Sequence, residues 1–428
     1  MPSLLGFACC PQWARTSLLA PMQHPDINQD CGADFRDCRA MDCATHSFIM
    51  RKEHPRAGVP YVKEIIMPEP VPLIRERPAS AVSQEITLPI SFRALAIEQA
   101  GEAVSMQRKS IMALHEDDVL IRIDYASINK MDPGLARVNV FNFPLPYVLG
   151  FDFSGEVVGL GAQCQEAFKV GDEVLGRSLT GSCFAEYVVA KRENIVHRGA
   201  VPAPEASTYG VAYLTAYESL VMTGGIEQHR GKWIYVAGAA GGVGHFAAQI
   251  AKLYGLKVVG SAGKAASLNL LKELELDHVI DYSKQDVVQE VMNLTGGKGA
   301  DLVYDSTYTQ SSYAQSAVVV ARGGEYIRLG TEAQVARAGA NDVQSVVEGR
   351  GARMVISDLG RYARDPLYQA QTAKLTDGLK QAVSWYESGH LKPAITATVP
   401  FDAAALQQAF GDFLKGTNNV GKVVVRCA

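Results

Sequence analysis

The stretch AGAAGGVGHFAAQIA, residues 237–251, decides how the rest of the chain is read. It continues the apolar run WIYVAG (233–238), passes Gly241, Gly242 and Gly244, and becomes an apolar helix pattern that stops at Gly255. A strand, a tight glycine turn and a helix, in that order, let free amides at a helix N-terminus approach a pyrophosphate, where the helix dipole favours negative charge. The charge-free run from Trp233 to Ala251 also has the length of a membrane span. Its four glycines, His245 and Gln249, with Lys252 and Lys257 just beyond, fit a buried strand, turn and helix instead.

Downstream, KVVGSAG (257–263), HVIDY (278–282), ADLVYDS (300–306), EYIRLG (325–330) and ARMVIS (352–357) read as strands. The segments ASLNLLKELEL (266–276), DVVQEVMNLTG (286–296) and SYAQSAVVVARGG (312–324) read as helices between them, and LTAYESLVMTG (214–224) as a helix ahead of the first strand. This alternation, repeating about every 20–25 residues, predicts an α/β doubly wound parallel sheet, a nucleotide-binding domain over 213–371. Upstream, SFRALAIEQ (91–99), DVLIRIDYASI (118–128), GFDFSGEVVGLGAQC (150–164), FKVGDEVLG (168–176) and CFAEYVVAKRENIVHR (183–198) are short, glycine-punctuated strand patterns. They predict a β-rich barrel domain over 88–212. Residues 372–428 carry an amphipathic helix (372–389), an extended run (392–401), a second helix (402–416) and the strand GKVVVRC (421–427). That segment is expected to return and complete the β-rich domain.

The first 87 residues differ in texture, with many prolines, scattered cysteines and no sustained periodicity. They are expected to form a poorly ordered extension, or to reflect a start assigned upstream of Met41, Met50 or Met67. An organelle-targeting role is the alternative, whereas the basic n-region of a secretory signal is missing.

Lysine plus arginine total 41 against 45 acids, a formal charge of −4, which excludes a strongly basic nucleic-acid coat and leaves room for a local phosphate pocket. No nucleic-acid partner is expected. Five of eight cysteines fall in the first 43 residues, so no disulfide scaffold is expected in the main body, and a reducing, cytoplasmic setting is. Nine histidines are dispersed, and neither a CxxC nor an HExxH pattern occurs. Cys31, Cys38, Cys43 and His46 lack both ligand spacing and a surrounding fold, so no metal is expected.

The end of the second strand bears on which nicotinamide is used. An acid usually holds the ribose hydroxyls of NAD there. Gly260–Ser261–Ala262–Gly263–Lys264 offers none, while Ser261 and Lys264, joined by Tyr282 from the next strand, suit the 2′-phosphate of NADPH.

Residues 91–428 resemble the zinc-free, medium-chain quinone oxidoreductases that include the zeta-crystallin group. The resemblance rests on AGAAGGVG (237–244), DYASINKMD (124–132), GFDFSGEVVGLG (150–161), YLTAYESL (213–220), VYDST (303–307), RLGT (328–331) and NNVGKVVV (418–425). It implies a GroES-like catalytic domain beside a Rossmann domain. Phe151 and Asp152 stand where zinc-dependent relatives carry a Gly-His-Glu ligand motif, so catalytic zinc is absent. For the cofactor, the resemblance implies contacts from Asn129, Thr215, Ala240, Gly241, Gly242, Val243, Gly244, Ser261, Gly263, Lys264, Tyr282, Ser306, Leu329, Gly330, Thr331 and Lys422. Asn129 is expected to orient the nicotinamide side, with Lys422 as an electrostatic contributor; these two are the catalytic candidates. Where many relatives place a cleft tyrosine, this chain reads PGLARVNVFNFPLPY (133–147); Phe141, Phe143 and Tyr147 either stack on a flat ring or pack in the core.

The implied activity is NADPH-dependent hydride transfer to a quinone or similar flat acceptor. The alternatives are an enone or enoyl reductase and an NADPH-binding protein with little turnover. A homodimer paired through the sixth-strand edge at MVIS (354–357) is expected. The polar segment 331–353 is left either as a pocket rim or as a subunit contact.

Overall fold

A computed structural model describes Leu88, residues 90–139, 141–330, 342–417 and 420–428. Thr331 and the residues before 88 lie outside these. Among the described residues are sixteen strands, most of them alternating or unbroken apolar runs, and they form three sheets.

The first eight strands are β1 (Ile90–Ile97), β2 (Ser105–Ile111), β3 (Asp118–Ile128), β4 (Tyr147–Val148), β5 (Asp152–Leu160), β6 (Glu173–Arg177), β7 (Tyr187–Lys191) and β8 (Ile195–His197). Then come β9 (Trp233–Ala237), β10 (Lys257–Ala262), β11 (His278–Asp281), β12 (Ala300–Asp305), β13 (Val320–Leu329) and β14 (Arg353–Ser357). The last two are β15 (Ile395–Pro400) and β16 (Lys422–Arg426).

Strands β9 to β14 form one parallel sheet in the order β11-β10-β9-β12-β13-β14. Chain direction away from β9 reverses between β10 and β12, and that switch point opens a crevice at the carboxyl ends of the strands. Strands β1, β2 and β4 form a small antiparallel sheet, and β15-β16-β3-β5-β6-β8 a larger one, with β7 also paired to β3. The returning strand β16 runs antiparallel to β3, with Val423 opposite Ile128 and Arg426 opposite Tyr125. Among the described residues four apolar clusters result, the two larger ones around Tyr209, Tyr213 and Phe246 and around Phe153, Phe184 and Phe410.

Several elements differ from the sequence expectation. The helix expected over 312–324 ends at Val319, and Val320 already begins β13. Val318, Val319 and Val320 are β-branched, which disfavours helix and suits a strand. The helix expected over 214–224 extends from Tyr209 to Thr223; it is α-wound only at Leu214–Tyr217 and π-wound on both sides. Strand β2 and the helix Met131–Val138 were not anticipated.

Helix Gly244–Leu253 is bonded directly to the segment leading into β15. His245 is fully buried, with Nδ1 2.9 Å from the Gly241 carbonyl and Nε2 3.2 Å from the Ala394 amide nitrogen. Since the Ala394 N–H donates to Nε2, Nδ1 carries the proton and donates to Gly241. Gln249 Nε2 donates to the Lys392 carbonyl at 3.1 Å, and the Lys392 N–H donates to Gln249 Oε1 at 2.8 Å.

Burial pulls the His245 imidazole down to about 4, so it is neutral in this joint. A histidine depressed from its ordinary value near 6.5 binds its proton in the unfolded chain first, and the stability it confers is lost as pH falls from about 6.5 toward 4. The loss attributable to His245 is about 3 kcal/mol. Urea denaturation of the wild type and His245→Gln at pH 7 and pH 4.5 should show the wild type losing more stability on acidification, with groups common to both chains cancelling in the comparison.

Candidate active site

The crevice at the switch point is a cleft of about 1220 Å³ lined from both the parallel sheet and the β-rich part. The turn after β9 forms its phosphate-sized end. Gly238 has φ +72°, a left-handed conformation that glycine adopts without penalty. A Cβ on Gly244 would lie 2.0 Å from the Gly238 carbonyl oxygen, so the helix can begin this close to the strand only with glycine there. Gly241, Gly242 and Val243 line the cleft, and Gly242 is met by the Lys422 side chain.

The cleft also contains Asn129, Thr215, Ala240, Ser261, Lys264, Tyr282, Ser306, Gly330 and Lys422. Three other predicted residues do not line it. Gly244 is buried at the helix start, Leu329 is buried in the core, and Gly263 lies under the Tyr282 ring, where a Cβ would come within 2.1 Å of Cε2. Thr331 lies outside the described residues.

At the adenosine end, the Ser261 hydroxyl is 2.9 Å from the Tyr235 hydroxyl, Lys264 Nζ donates to the Gly416 carbonyl, and Tyr282 is half exposed. The carboxylate ending the neighbouring strand, Asp281, accepts from the Ser283 amide and hydroxyl and pairs with Lys284 at 3.2 Å. It is therefore engaged by its own loop. The donor set offered to an adenosine ribose is hydroxyl and ammonium, which fits a 2′-phosphate.

At the other end Phe141, Phe143 and Phe151 form an aromatic wall. Phe143 stacks on Tyr147 with centroids 4.6 Å apart, and Phe151 tilts against Phe143 at 6.2 Å. Of the three aromatic residues the sequence left open, Phe141 and Phe143 line the cleft, whereas Tyr147 is buried behind Phe143.

Asn129 sits in a buried ionic network. Its Nδ2 donates to both Asp152 oxygens at 3.2 Å, and its Oδ1 accepts from Lys422 Nζ at 2.6 Å. Lys422 also donates to the Ile128 carbonyl at 3.0 Å. Asp152 accepts from the Ser127 hydroxyl at 2.8 Å, and Asp132 Oδ2 accepts from the Asn129 amide at 2.7 Å. Burial pushes the Asp132 carboxyl up to about 7 and also raises Asp152, an effect that Lys422 opposes. Burial lowers Lys422 in turn. Every contact to Asp152 brings a donor, so the network is built around its carboxylate form. An ammonium that interacts with this carboxylate makes the place of Phe151 and Asp152 unsuited to a metal cation. Among the described residues no cluster of three His, Cys, Asp or Glu side chains is arranged to hold one.

Sequence reasoning missed Ser127, Asp132 and His245, whose roles arise from contacts across the fold. It also missed Arg177, Lys130, Tyr308 and Arg364, which line the cleft without any local motif.

Two family models match the chain: the alcohol dehydrogenase GroES-like domain over residues 115–205 and the zinc-binding dehydrogenase over 242–375. The 2-methylene-furan-3-one reductase of Solanum lycopersicum is 30% identical over 376 residues, covering 84% of this chain and 85% of that protein. The NADPH-dependent alkenal/one oxidoreductase, chloroplastic, of Arabidopsis thaliana is 28% identical over 362 residues, covering 80% and 82%. The quinone oxidoreductase of Homo sapiens is 24% identical over 339 residues, covering 78% and 97%.

Removing Lys422 leaves a buried carboxylate uncompensated. Lys422→Met is expected to cost about 3–5 kcal/mol, and adding Asp152→Asn should recover a large part of it. Denaturant titration of the two single variants and the double variant measures this coupling, and simple additivity would show that the network is not energetically connected.

Proposed function

Because the chain belongs to the zinc-free, quinone oxidoreductase-like group of the medium-chain dehydrogenase/reductase family, oxidoreductases whose members use NAD(P)H, we propose that it is an NADPH-dependent reductase of quinones and similar flat, electron-poor carbonyl compounds. The observation that carries this reading is a single cleft joining the glycine turn to a wall of three phenylalanines. NADPH supplies the hydride. The chain's own residues bind and orient. The turn from Ala240 to Val243 presents backbone to the pyrophosphate, while Ser261, Lys264 and Tyr282 receive the 2′-phosphate.

Asn129 and Lys422 form the polar part of the nicotinamide side, with Thr215, Ser306 and Gly330 completing the lining. Thr215 Oγ1 is already donating to the Val211 carbonyl at 2.7 Å, so its outward character toward the cleft is that of an acceptor. The phenylalanine wall stacks the acceptor and excludes water. A quinone leaves as a hydroquinonate that solvent protonates, so this reaction needs no dedicated acid.

Reduction of an enone carbon–carbon double bond is a second reading, favoured by the 30% identity to the furanone reductase. It uses the same cofactor side and differs in requiring protonation of the enolate carbon. A homodimer through the edge of β14 accompanies either reading, and its support is the position of that strand at the end of the sheet. Among the described residues no helix is long and apolar enough to cross a membrane.

The test is oxidation of NADPH and, in parallel, NADH across ortho-quinones, para-quinones and simple enones. NADPH is expected to be preferred, and Lys264→Ala should raise its KM about tenfold while leaving that for NADH unchanged. Equal effects on the two cofactors would remove the 2′-phosphate role. Turnover restricted to enones would select the second reading.

A further inference from the structure

The charged side chains that line the cleft nearly all have partners. Lys130 Nζ donates to the Thr307 carbonyl at 2.6 Å, Lys264 is held by Gly416, Lys422 by Asn129, and Arg364 pairs with Asp358. Arg177, at the end of β6, is the exception. It is 4% exposed, its Nε makes one long bond of 3.3 Å to Asn194 Oδ1, and its Nη2 is buried with no hydrogen-bond partner. Among the described residues it makes no salt bridge.

Glu193 and Tyr362 act on it only through space, with no hydrogen bond or ion pair to it, and two further buried carboxylates are committed elsewhere. Asp152 is its partner in the strand register but is held by Ser127 and Asn129. The buried Glu218 accepts from Ser357, from Thr223 at 2.7 Å and from the Tyr362 hydroxyl at 3.4 Å. Burial draws the Arg177 guanidinium down to about 10, which leaves it a cation at neutral pH. A buried cation with no direct ion pair is costly, and a guanidinium matches a carboxylate in charge. Ser178 and Thr180, just beyond it, line the cleft with hydroxyls, and Phe151 lines the same cleft.

We propose that Arg177 binds a carboxylate carried by the acceptor, so that the substrate class is a flat conjugated carbonyl compound bearing a carboxylate. This deepens the reductase reading and, as a statement about the acceptor, rests on it. The carboxylate site itself can be measured without turnover.

The experiment is titration calorimetry on the full chain loaded with NADP⁺, comparing 2-naphthoate with its neutral counterpart 2-naphthamide. The wild type should bind naphthoate at least about tenfold more tightly, as a charge-assisted contact predicts. Arg177→Met should bring the ratio to within about threefold while leaving naphthamide affinity little changed, and Arg177→Lys should keep part of the preference. Equal affinity of the two compounds for the wild type overturns the proposal, and that comparison stands even where Arg177→Met fails to fold. Survival of the preference in a folded Arg177→Met also overturns it. If no acceptor oxidises NADPH while the Arg177-dependent preference holds, the reductase reading fails and the carboxylate site stands.

Discussion

The cleft depends on one joint, where Gly421 and Lys422 cross from the β-rich part to the glycine turn. The Gly421 N–H donates to the Ala240 carbonyl at 2.8 Å, and the Lys422 N–H donates to the Ala394 carbonyl at 2.7 Å. Gly421 has φ +56°, and a Cβ there would lie 2.3 Å from the Ala394 oxygen. The Lys422 side chain passes Gly242 and ends on Asn129. One dipeptide therefore fixes the nucleotide turn, the returning strand and the polar floor of the site relative to one another. His245 and Gln249 reinforce the joint from the first turns of the helix, which ties a local glycine motif to a segment about 150 residues away in sequence.

Much of this fold was legible because its signals are local and periodic. Strands β9 to β14 each carry an apolar run between glycine or polar breaks, so their identity and order follow from the chain alone. What escaped was decided by tertiary context. Strand β2 reads SMQRKSI and exposes every second residue at a sheet edge, so it carries little apolar signal. The helix Met131–Val138 contains Pro133 and Gly134, residues that argue against a helix unless the proline falls in its first turn, as it does. The valine run at 318–320 carries apolar content that suits either state, and pairing of Val320 with Ala300 settles it as strand.

The site divides in the same way. The glycines were readable because a backbone approach to phosphate requires them at fixed spacing after a strand. Lys264 and Tyr282 followed from the missing acid at a strand end. Asp132, Asp152 and His245 carry no such spacing, and their chemistry comes from burial together. Asp152 was noticed only as a residue standing in the place of a zinc-ligand motif, whereas its position is that of counter-charge to Lys422. Arg177 was invisible for a related reason: an arginine at a strand end is ordinarily solvated, and only the packed fold shows it buried with a free donor.

A buried network with one ammonium beside two carboxylates is a poor way to gain stability, since well-packed apolar residues of similar volume often do as well or better. Its effect lies in what it does to Asn129. An amide can be turned over, exchanging its oxygen and nitrogen, at little cost when its neighbours are neutral. Here Lys422 can only donate and the carboxylate of Asp152 can only accept, so the oxygen must face the ammonium and the nitrogen must face the carboxylate. The alternative orientation would set like against like at both ends. The backbone N–H of the same residue is held by Asp132, which fixes the main chain as well as the side chain. Charge that adds little to stability thus specifies a single orientation for the one amide side chain on which the reading of the nicotinamide side rests.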